Sequence, residues 1–343
     1  MVYASLKGGR YEIGLQHGRG LRNVIHCAIR QNCRFLDLKQ KPDARAIEER
    51  QARLTLEYPH FVEEMMGIAE GAECSPDDIV AMNLGPWRPS CSNIAFCESD
   101  EGPILGHAND HKPGGHFDAI FAVRFLSGER LLYVGSAGHL GSFAGVNGAG
   151  LAVTHASARP PGAENARAPL NMGLYTRVLL EACRDAGQAE LFLKERTFRS
   201  GGDNIMVLDA KGAGFVAEKY PLLADFRFPE KGAMYGTNRT LAPKTREMMG
   251  QDDYERSASE IPMLINRERY LQRVIHEHQG RFTRELMERV LRCTDADADI
   301  CNPFTNWAAV LLTRYSEMLV SDRFPCHNEF RRYVVDKNAG SVS

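Results

Sequence analysis

The sequence predicts an α+β protein in which helices come first and strands, some of them paired as hairpins, follow, and three observations predict it. Up to Leu84 the chain alternates helical periodicity with helix-capping residues. From Ser90 onward, short apolar runs bounded by Gly, Pro, Asn and Asp take over. Several of those runs come in pairs joined by tight polar turns, as hairpins do.

Each element follows in order. Residues 8 to 24 open a helix whose Ile13, Leu21 and Val24/Ile25 share a face. Gly14 and Gly18, one turn apart, leave room there for another element to approach closely. Residues 44 to 57 are charged and read as a solvated helix, and Tyr58 to Ala72 as an amphipathic one ending at glycine. Ser75-Pro76 caps the next helix, with proline at its first position.

The turn-rich run Gly85-Pro86-Trp87-Arg88-Pro89 leads to Ser90-Cys91-Ser92-Asn93-Ile94-Ala95-Phe96. A polar turn, Glu98 to Gly102, then returns the chain through Ile104-Leu105 to Asn109-Asp110. This reads as a buried hairpin that brings Asp110 back beside Cys91, the candidate nucleophile. Residues 119 to 125 and 130 to 134 are strands, and the glycine-rich turn at Gly145 to Gly150 feeds another. Arg159 to Pro169 is a surface loop by composition, placed near the pocket, and Leu174 to Cys183 is a helix. Asp203 to Asp209 and Phe215 to Glu218 form a hairpin, Asn266 begins a helix, and Trp307 to Val320 supplies the last strands. No repeat, low-complexity tract or linker interrupts the chain, so one domain spanning 1–343 is expected.

Composition narrows the function. A formal net charge of -2 gives no electrostatic case for nucleic acid or an anionic membrane. The N-terminus lacks the apolar core of a signal peptide, and no run of about eighteen apolar residues could span a bilayer. A cytoplasmic location is the expectation. The nine cysteines are odd in number and scattered, without the spacing of a disulfide framework or a zinc site, so most should be reduced.

Several stretches resemble one family. They are Tyr11-Glu12-Ile13-Gly14 with Gln16-His17-Gly18, the run from Glu63 to Leu84, the Cys91 hairpin, Gly145-Val146-Asn147 through Gly150-Leu151, Thr237-Asn238, and Asn266 to Tyr270. In these the chain is similar to the acyl-coenzyme A:6-aminopenicillanate acyltransferase family, peptidase family C45. These are cysteine N-terminal nucleophile (Ntn) hydrolases related to penicillin V acylase and bile salt hydrolase. The resemblance implies a four-layer αββα sandwich with two mostly antiparallel sheets. It departs at Gly85-Pro86-Trp87, at Ser90 where the acyltransferase has glycine, at the Asn109-Asp110 spacing, and at His107, where bile salt hydrolases carry arginine.

The implied chemistry is explicit. A cysteine thiol with a pKa of about 8.5 needs a base. Cutting the Ser90–Cys91 bond would give chains 1–90 and 91–343 and endow Cys91 with an α-amine of pKa about 7.7 to 8.0, which can take the thiol proton. Asp110 would orient that amine, Asn238 would donate to the oxyanion, and Arg269 would be the nearby cation. Asn147, Thr154, His155, His107 and Asn109 are the candidates for a further oxyanion donor or pocket wall. His17 also invites a catalytic role, against which a structural one weighs more. The expected substrate is a linear, non-peptide small-molecule amide, with acyl-coenzyme A or an amine as partner in acyl transfer. No metal or organic cofactor is required, and a homo-oligomer is left open.

Three alternatives stay open at this point. One is an uncut thiol acyltransferase served by a base such as His107 or His155. Another is a metallohydrolase built on His107, Asp110, His111 and His116, against which Lys112-Pro113-Gly114-Gly115 weighs because proline and glycine break a shared helix. The last is a scaffold that binds without catalysis.

Overall fold

A computed structural model describes residues 1–39, 44–84, 90–110, 117–158, 172–195, 203–219, 223–249 and 262–334. The first strand, β1 (Val2–Gly8), is followed by the helices α1 (Arg10–Lys39), α2 (Ala44–Glu57), α3 (Pro59–Ala72) and α4 (Pro76–Leu84). Six strands come next: β2 (Ser90–Phe96), β3 (Ile104–Asp110), β4 (Asp118–Phe125), β5 (Arg130–Ser136), β6 (Ala144–Asn147) and β7 (Ala152–Ser157). Helices α5 (Met172–Ala182) and α6 (Ala186–Glu195) precede β8 (Asp203–Leu208), β9 (Gly214–Lys219), β10 (Ala224–Arg227) and β11 (Ala233–Gly236). The chain ends with α7 (Pro243–Met249), α8 (Pro262–Glu277), α9 (Arg284–Leu291), β12 (Thr305–Leu312), β13 (Glu317–Asp322) and β14 (Arg331–Tyr333).

The strands make an eight-stranded sheet in the order β1-β4-β5-β6-β7-β8-β9-β10 and a six-stranded sheet in the order β11-β2-β3-β12-β13-β14. Neighbours pair antiparallel except β1, which runs parallel to β4. Side chains alternate between two buried faces. Ala95 and Leu105 point with Trp307 and Leu311 into a core shared with Ile120, Leu132, Val146 and Met206 of the other sheet. Their neighbours Ile94, Phe96 and Ile104 turn outward to meet Leu271 and Val274 of α8 and Met287 and Val290 of α9. On the opposite outer face, Ile13, Phe61, Met65 and Leu179 of α1, α3 and α5 cover Leu6, Phe121 and Val153. Helices, sheet, sheet and helices stack as four layers, as expected. Because both faces of both sheets are covered, a central strand such as β12 is buried at every position and shows no apolar-polar alternation.

Glycine decides the packing of α1 on α3. A Cβ on Gly14 would lie 2.1 Å from the Glu64 carbonyl oxygen and one on Gly18 2.3 Å from that of Ile68. Gly67 and Gly71 of α3 reciprocate against Tyr11 and Leu15. His17 faces the first sheet, where Nε2 accepts the Gly138 N–H at 2.9 Å, and burial pushes its pKa down to about 3. It is a structural histidine. Strand β1 falls on the segment whose only sequence signal was the lack of a signal-peptide core. The loop 159–169 and the run 85–89 lie outside the described residues. Among the described residues no helix is long and apolar enough to cross a membrane.

Candidate active site

Cys91 is the second residue of β2. The β2–β3 register sets it opposite Asn109 and sets Ser90 opposite Asp110, so the carboxylate lies across from the Ser90–Cys91 bond. β11 pairs with β2 only as far as Gly236 opposite Asn93. Beyond that point Thr237-Asn238-Arg239 leaves the sheet and curls over the start of β2. Asn238 Oδ1 accepts the Cys91 N–H at 2.9 Å and the Ser90 O–H at 2.9 Å, while its Nδ2 donates to the Ser157 carbonyl of β7 at 2.8 Å. One side chain thus ties the nitrogen of Cys91 to the opposite sheet.

The Asn238 turn is gripped from two sides. Asn204 Nδ2 donates to the carbonyls of Thr237 and Arg239, at 2.7 Å each. Glu268 accepts the Thr237 hydroxyl at 3.1 Å and Arg239 Nη1 at 2.7 Å. Burial raises the Glu268 pKa, and the Arg239 charge opposes that rise.

Asp110 is held as tightly. Its Oδ1 accepts the Thr305 hydroxyl at 2.7 Å; its Oδ2 accepts Asn302 Nδ2 at 3.1 Å and a short hydrogen bond from Arg267 Nη2. The β12 register shifts between Thr305 and Trp307, a bulge that keeps Thr305 opposite Asp110 while Trp307 faces Asn109. Arg267 Nε donates to the Asp299 carbonyl at 2.9 Å, and Nη1 lies 3.5 Å from the Ser90 hydroxyl.

Arg267, not Arg269, is the cation of the site. Two residues along a helix turn the side chain through about 200°, so when Arg267 is fully buried against Asp110 its neighbour is exposed to solvent. The Asn-Arg-Glu-Arg-Tyr run holds two arginines, and only the packing of α8 chooses between them.

The Cys91 thiol is fully buried. Burial pushes its pKa up, and the Asp110 charge adds to the rise; Arg267 and the Asp110 backbone N–H oppose it without cancelling it. Asn109 Nδ2 donates toward the sulfur at 3.7 Å. In the uncut chain Cys91 is therefore a protonated thiol with a side-chain amide beside it.

The remaining candidates sort by their partners. Asn147 is a turn asparagine: Nδ2 donates to the carbonyls of Leu180 and Cys183, and Oδ1 accepts from the N–H groups of Ala149 and Leu151. With its amide fully engaged far along β6, it is not an oxyanion donor. Among the described residues, Thr154 Oγ1 and both ring nitrogens of His155 have no hydrogen-bond partner, so neither residue contacts Cys91 through a polar bond. His107 Nδ1 bonds to Asn93 Oδ1 at 2.7 Å, and Asn93 in turn donates to the Gly236 carbonyl at 3.3 Å, which locks β3, β2 and β11 in register. Burial lowers the His107 pKa well below its ordinary value and that of His155 to about 3, which makes both weak proton acceptors. Of the four residues in the metal reading, His107 and Asp110 are engaged as above, and His111 and His116 lie outside the described residues.

A cavity of about 350 Å³ opens at this end of the sandwich, its lining including Val24, Phe117, Asp118, Trp307, Asp322 and Arg323. Trp307 pairs with Asn109, which pairs with Cys91, so the Trp307 backbone stands two strands, about 10 Å, from that of Cys91. Trp307 Nε1 donates to Asp118 Oδ2 at 2.9 Å, and its buried ring packs against His107 and Phe143.

Residues 97–310 match the family model described as acyl-coenzyme A:6-aminopenicillanic acid acyl-transferase. The match contains Asp110, Asn238 and Arg267 and begins downstream of Cys91. Among solved structures, the chain is similar to a Caenorhabditis elegans ortholog of N-acylethanolamine-hydrolyzing acid amidase, with 17% identity and a TM-score of 0.48 over 65% of this chain and 93% of that one. It is also similar to penicillin V acylase from Agrobacterium tumefaciens, at 12% identity and TM-score 0.47 over 74% and 90% of the two chains. A point mutant of conjugated bile acid hydrolase from Clostridium perfringens matches at 11% identity and TM-score 0.40, over 72% and 97%.

Proposed function

Because the chain belongs to the acyl-coenzyme A:6-aminopenicillanic acid acyl-transferase family, we propose that it is a self-processing cysteine amidohydrolase or acyltransferase acting on a linear, non-peptide C–N amide, with Cys91 as nucleophile. The observation that carries this reading is the pair of bonds from Asn238 Oδ1 to the Ser90 hydroxyl and the Cys91 nitrogen, which hold both sides of one peptide bond.

Processing begins with Cys91 Sγ attacking the Ser90 carbonyl carbon. The thiol proton passes to the Cys91 nitrogen as the C–N bond breaks, and Ser90 is left as a thioester on sulfur. Water hydrolyses that ester, giving chain 1–90 with a new carboxylate and chain 91–343 with a free thiol and α-amine. The two remain one domain, since β1 of the first chain stays paired with β4 of the second. The uncut thiol is held protonated by burial, and neither nearby histidine is a competent base. The amine released by cleavage supplies what is missing.

In turnover the amine takes the Cys91 proton, the thiolate attacks the substrate carbonyl, and the amine leaving group departs with a proton. Water or an acceptor amine then discharges the thioester, and an acyl-coenzyme A donor would load the same sulfur. Asn238 Oδ1 orients the amine. Its Nδ2 is committed to Ser157, so Asn109 Nδ2, whose partner is the Cys91 sulfur, is the donor in place for the oxyanion. Asp110, clamped by Arg267, supplies the fixed charge opposite the cleaved bond. The cavity beside Trp307, whose walls mix apolar groups with Asp118, Asp322 and Arg323, is the space for substrate.

A panel of chromogenic N-acyl anilides of increasing chain length tests this reading. Amine release with a hydroxylamine-sensitive acyl adduct on the Cys91 peptide is expected, and both should vanish in Cys91→Ala. Undiminished release by Cys91→Ala would overturn it.

A further inference from the structure

The eight described cysteines are free, yet two of their sulfurs touch: Cys301 and Cys326 lie with Sγ atoms 2.8 Å apart. Cys301 is buried and Cys326 half-buried. They sit 25 residues apart, just beyond the paired ends of β12 and β13, where Trp307 lies opposite Asp322. Each segment is fixed independently. Arg292 Nη1 donates to the Pro325 carbonyl at 2.7 Å, next to Cys326, and the Cys301 N–H donates to the Cys293 carbonyl at 2.8 Å. The Cys326 backbone also donates to the Cys301 sulfur. The approach of the two thiols is therefore built by the surrounding backbone.

Cys301 also adjoins the cradle of Asp110. Ile300, before it, offers its carbonyl to the Thr305 hydroxyl at 3.3 Å, and Asn302, after it, donates to Asp110 Oδ2. We propose that Cys301 and Cys326 are a reversible disulfide site that fastens the Asp110-holding segment to the turn after β13. This site is separate from the Cys91 chemistry and rests on no part of it.

The oxidant is a small disulfide. Cys326, the more accessible thiol, attacks as thiolate, and one thiol leaves as a mixed disulfide forms on Cys326. Cys301 then gives up its proton and attacks the Cys326 sulfur, releasing the second thiol. Two protein thiols are oxidised and one disulfide is reduced to two thiols. Burial pushes the Cys301 thiol up to about 12, which suits it to the second, intramolecular step rather than the first.

The test uses full-length Cys91→Ala protein, so that the nucleophile cannot consume oxidant. After treatment with glutathione disulfide and alkylation, unreduced peptide mapping should find the Cys301 and Cys326 peptides linked, and dithiothreitol should separate them. The linked protein should melt several degrees higher than the reduced one. Cys301→Ser and Cys326→Ser should each abolish both effects. Glutathione retained on Cys326, a link through Cys293 instead, or a Cys301–Cys326 link that leaves Tm unchanged would overturn the proposal.

Discussion

Two buried acid–arginine clusters invite comparison. Under the outer helices, Arg177 Nη2 lies 3.3 Å from both Glu64 oxygens, Nε donates to Glu181 at 2.5 Å and Nη1 to the Tyr133 hydroxyl at 2.8 Å. Arg10 closes the group with two bonds to Glu181 at 2.8 Å each. Burial alone would raise the Glu181 pKa, but Arg177 and Arg10 outweigh it and hold the carboxyl below its ordinary value. At the other cluster Arg267 meets Asp110 beside Asn302 and Thr305. Residue types and burial are alike. The difference lies in what the arginine does next: Arg177 spends its remaining donors on the helix layer and sheet, whereas Arg267 reaches the Ser90 hydroxyl beside the Cys91 peptide bond. A buried ion pair marks function only when its neighbours carry chemistry.

Removing one partner breaks the comparison most sharply. Arg267→Met and Arg177→Met each strand a buried carboxylate, and each should cost about 3–5 kcal/mol of stability, read from chemical denaturation. Only Arg267→Met should also stop cleavage at Ser90–Cys91, followed by mass at a temperature where both variants remain folded. Equal cleavage in the two would erase the distinction.

Asn238→Ala removes the acceptor that holds the Cys91 N–H and the Ser90 hydroxyl and should slow processing roughly 10²-fold, the scale on which a misplaced reacting group slows its reaction. Glu268→Gln keeps the Thr237 contact and weakens the one to Arg239. As a positioning residue, it should lower kcat several-fold with KM unchanged. A higher KM at constant kcat would place Glu268 in binding instead.

Acid should weaken the fold more than the site. Burial holds His17 and His155 at about 3 and His139 at about 4, against an ordinary value of 6.5. Above pH 6.5 these groups are neutral folded or unfolded, and stability is flat. As pH falls from 6.5 toward 4 only the unfolded chain takes up the protons, so each histidine should remove about 1.4 kcal/mol per pH unit. Denaturation at pH 7.5, 6 and 5 reads this slope, and His155→Gln should make it shallower. The smallest expected effect is at Asn147. Asn147→Ala should cost about 1–2 kcal/mol through its lost turn bonds and leave kcat alone, whereas a fall in kcat would restore the oxyanion role.

What the sequence made legible follows the range of each interaction. Cys91 and Asp110 are joined by one tight hairpin, so turn residues and strand length place them together. Gly14 and Gly18 announce a close helix crossing because nothing else explains two glycines on one helix face. Asn238 is recognisable through its Thr-Asn motif, but not the direction of its amide, which Ser157 on the other sheet decides. The choice of Arg267 over Arg269 depends on how α8 is rotated, and Asn204, Glu268, Asn302 and Thr305 come from distant segments of ordinary polar composition. Asn147 misleads for the opposite reason: its motif is a strong turn signal, and the turn consumes every polar atom that made it look chemical.

Everything proposed for turnover rests on Cys91 cutting its own peptide bond and emerging as an N-terminal nucleophile. Intact mass spectrometry of the denatured protein, beside Cys91→Ala, decides the point. Two chains divided between Ser90 and Cys91 are expected in the parent and a single chain in the variant. One uncut chain in both, with amide hydrolysis retained by the parent, would contradict the self-processing mechanism.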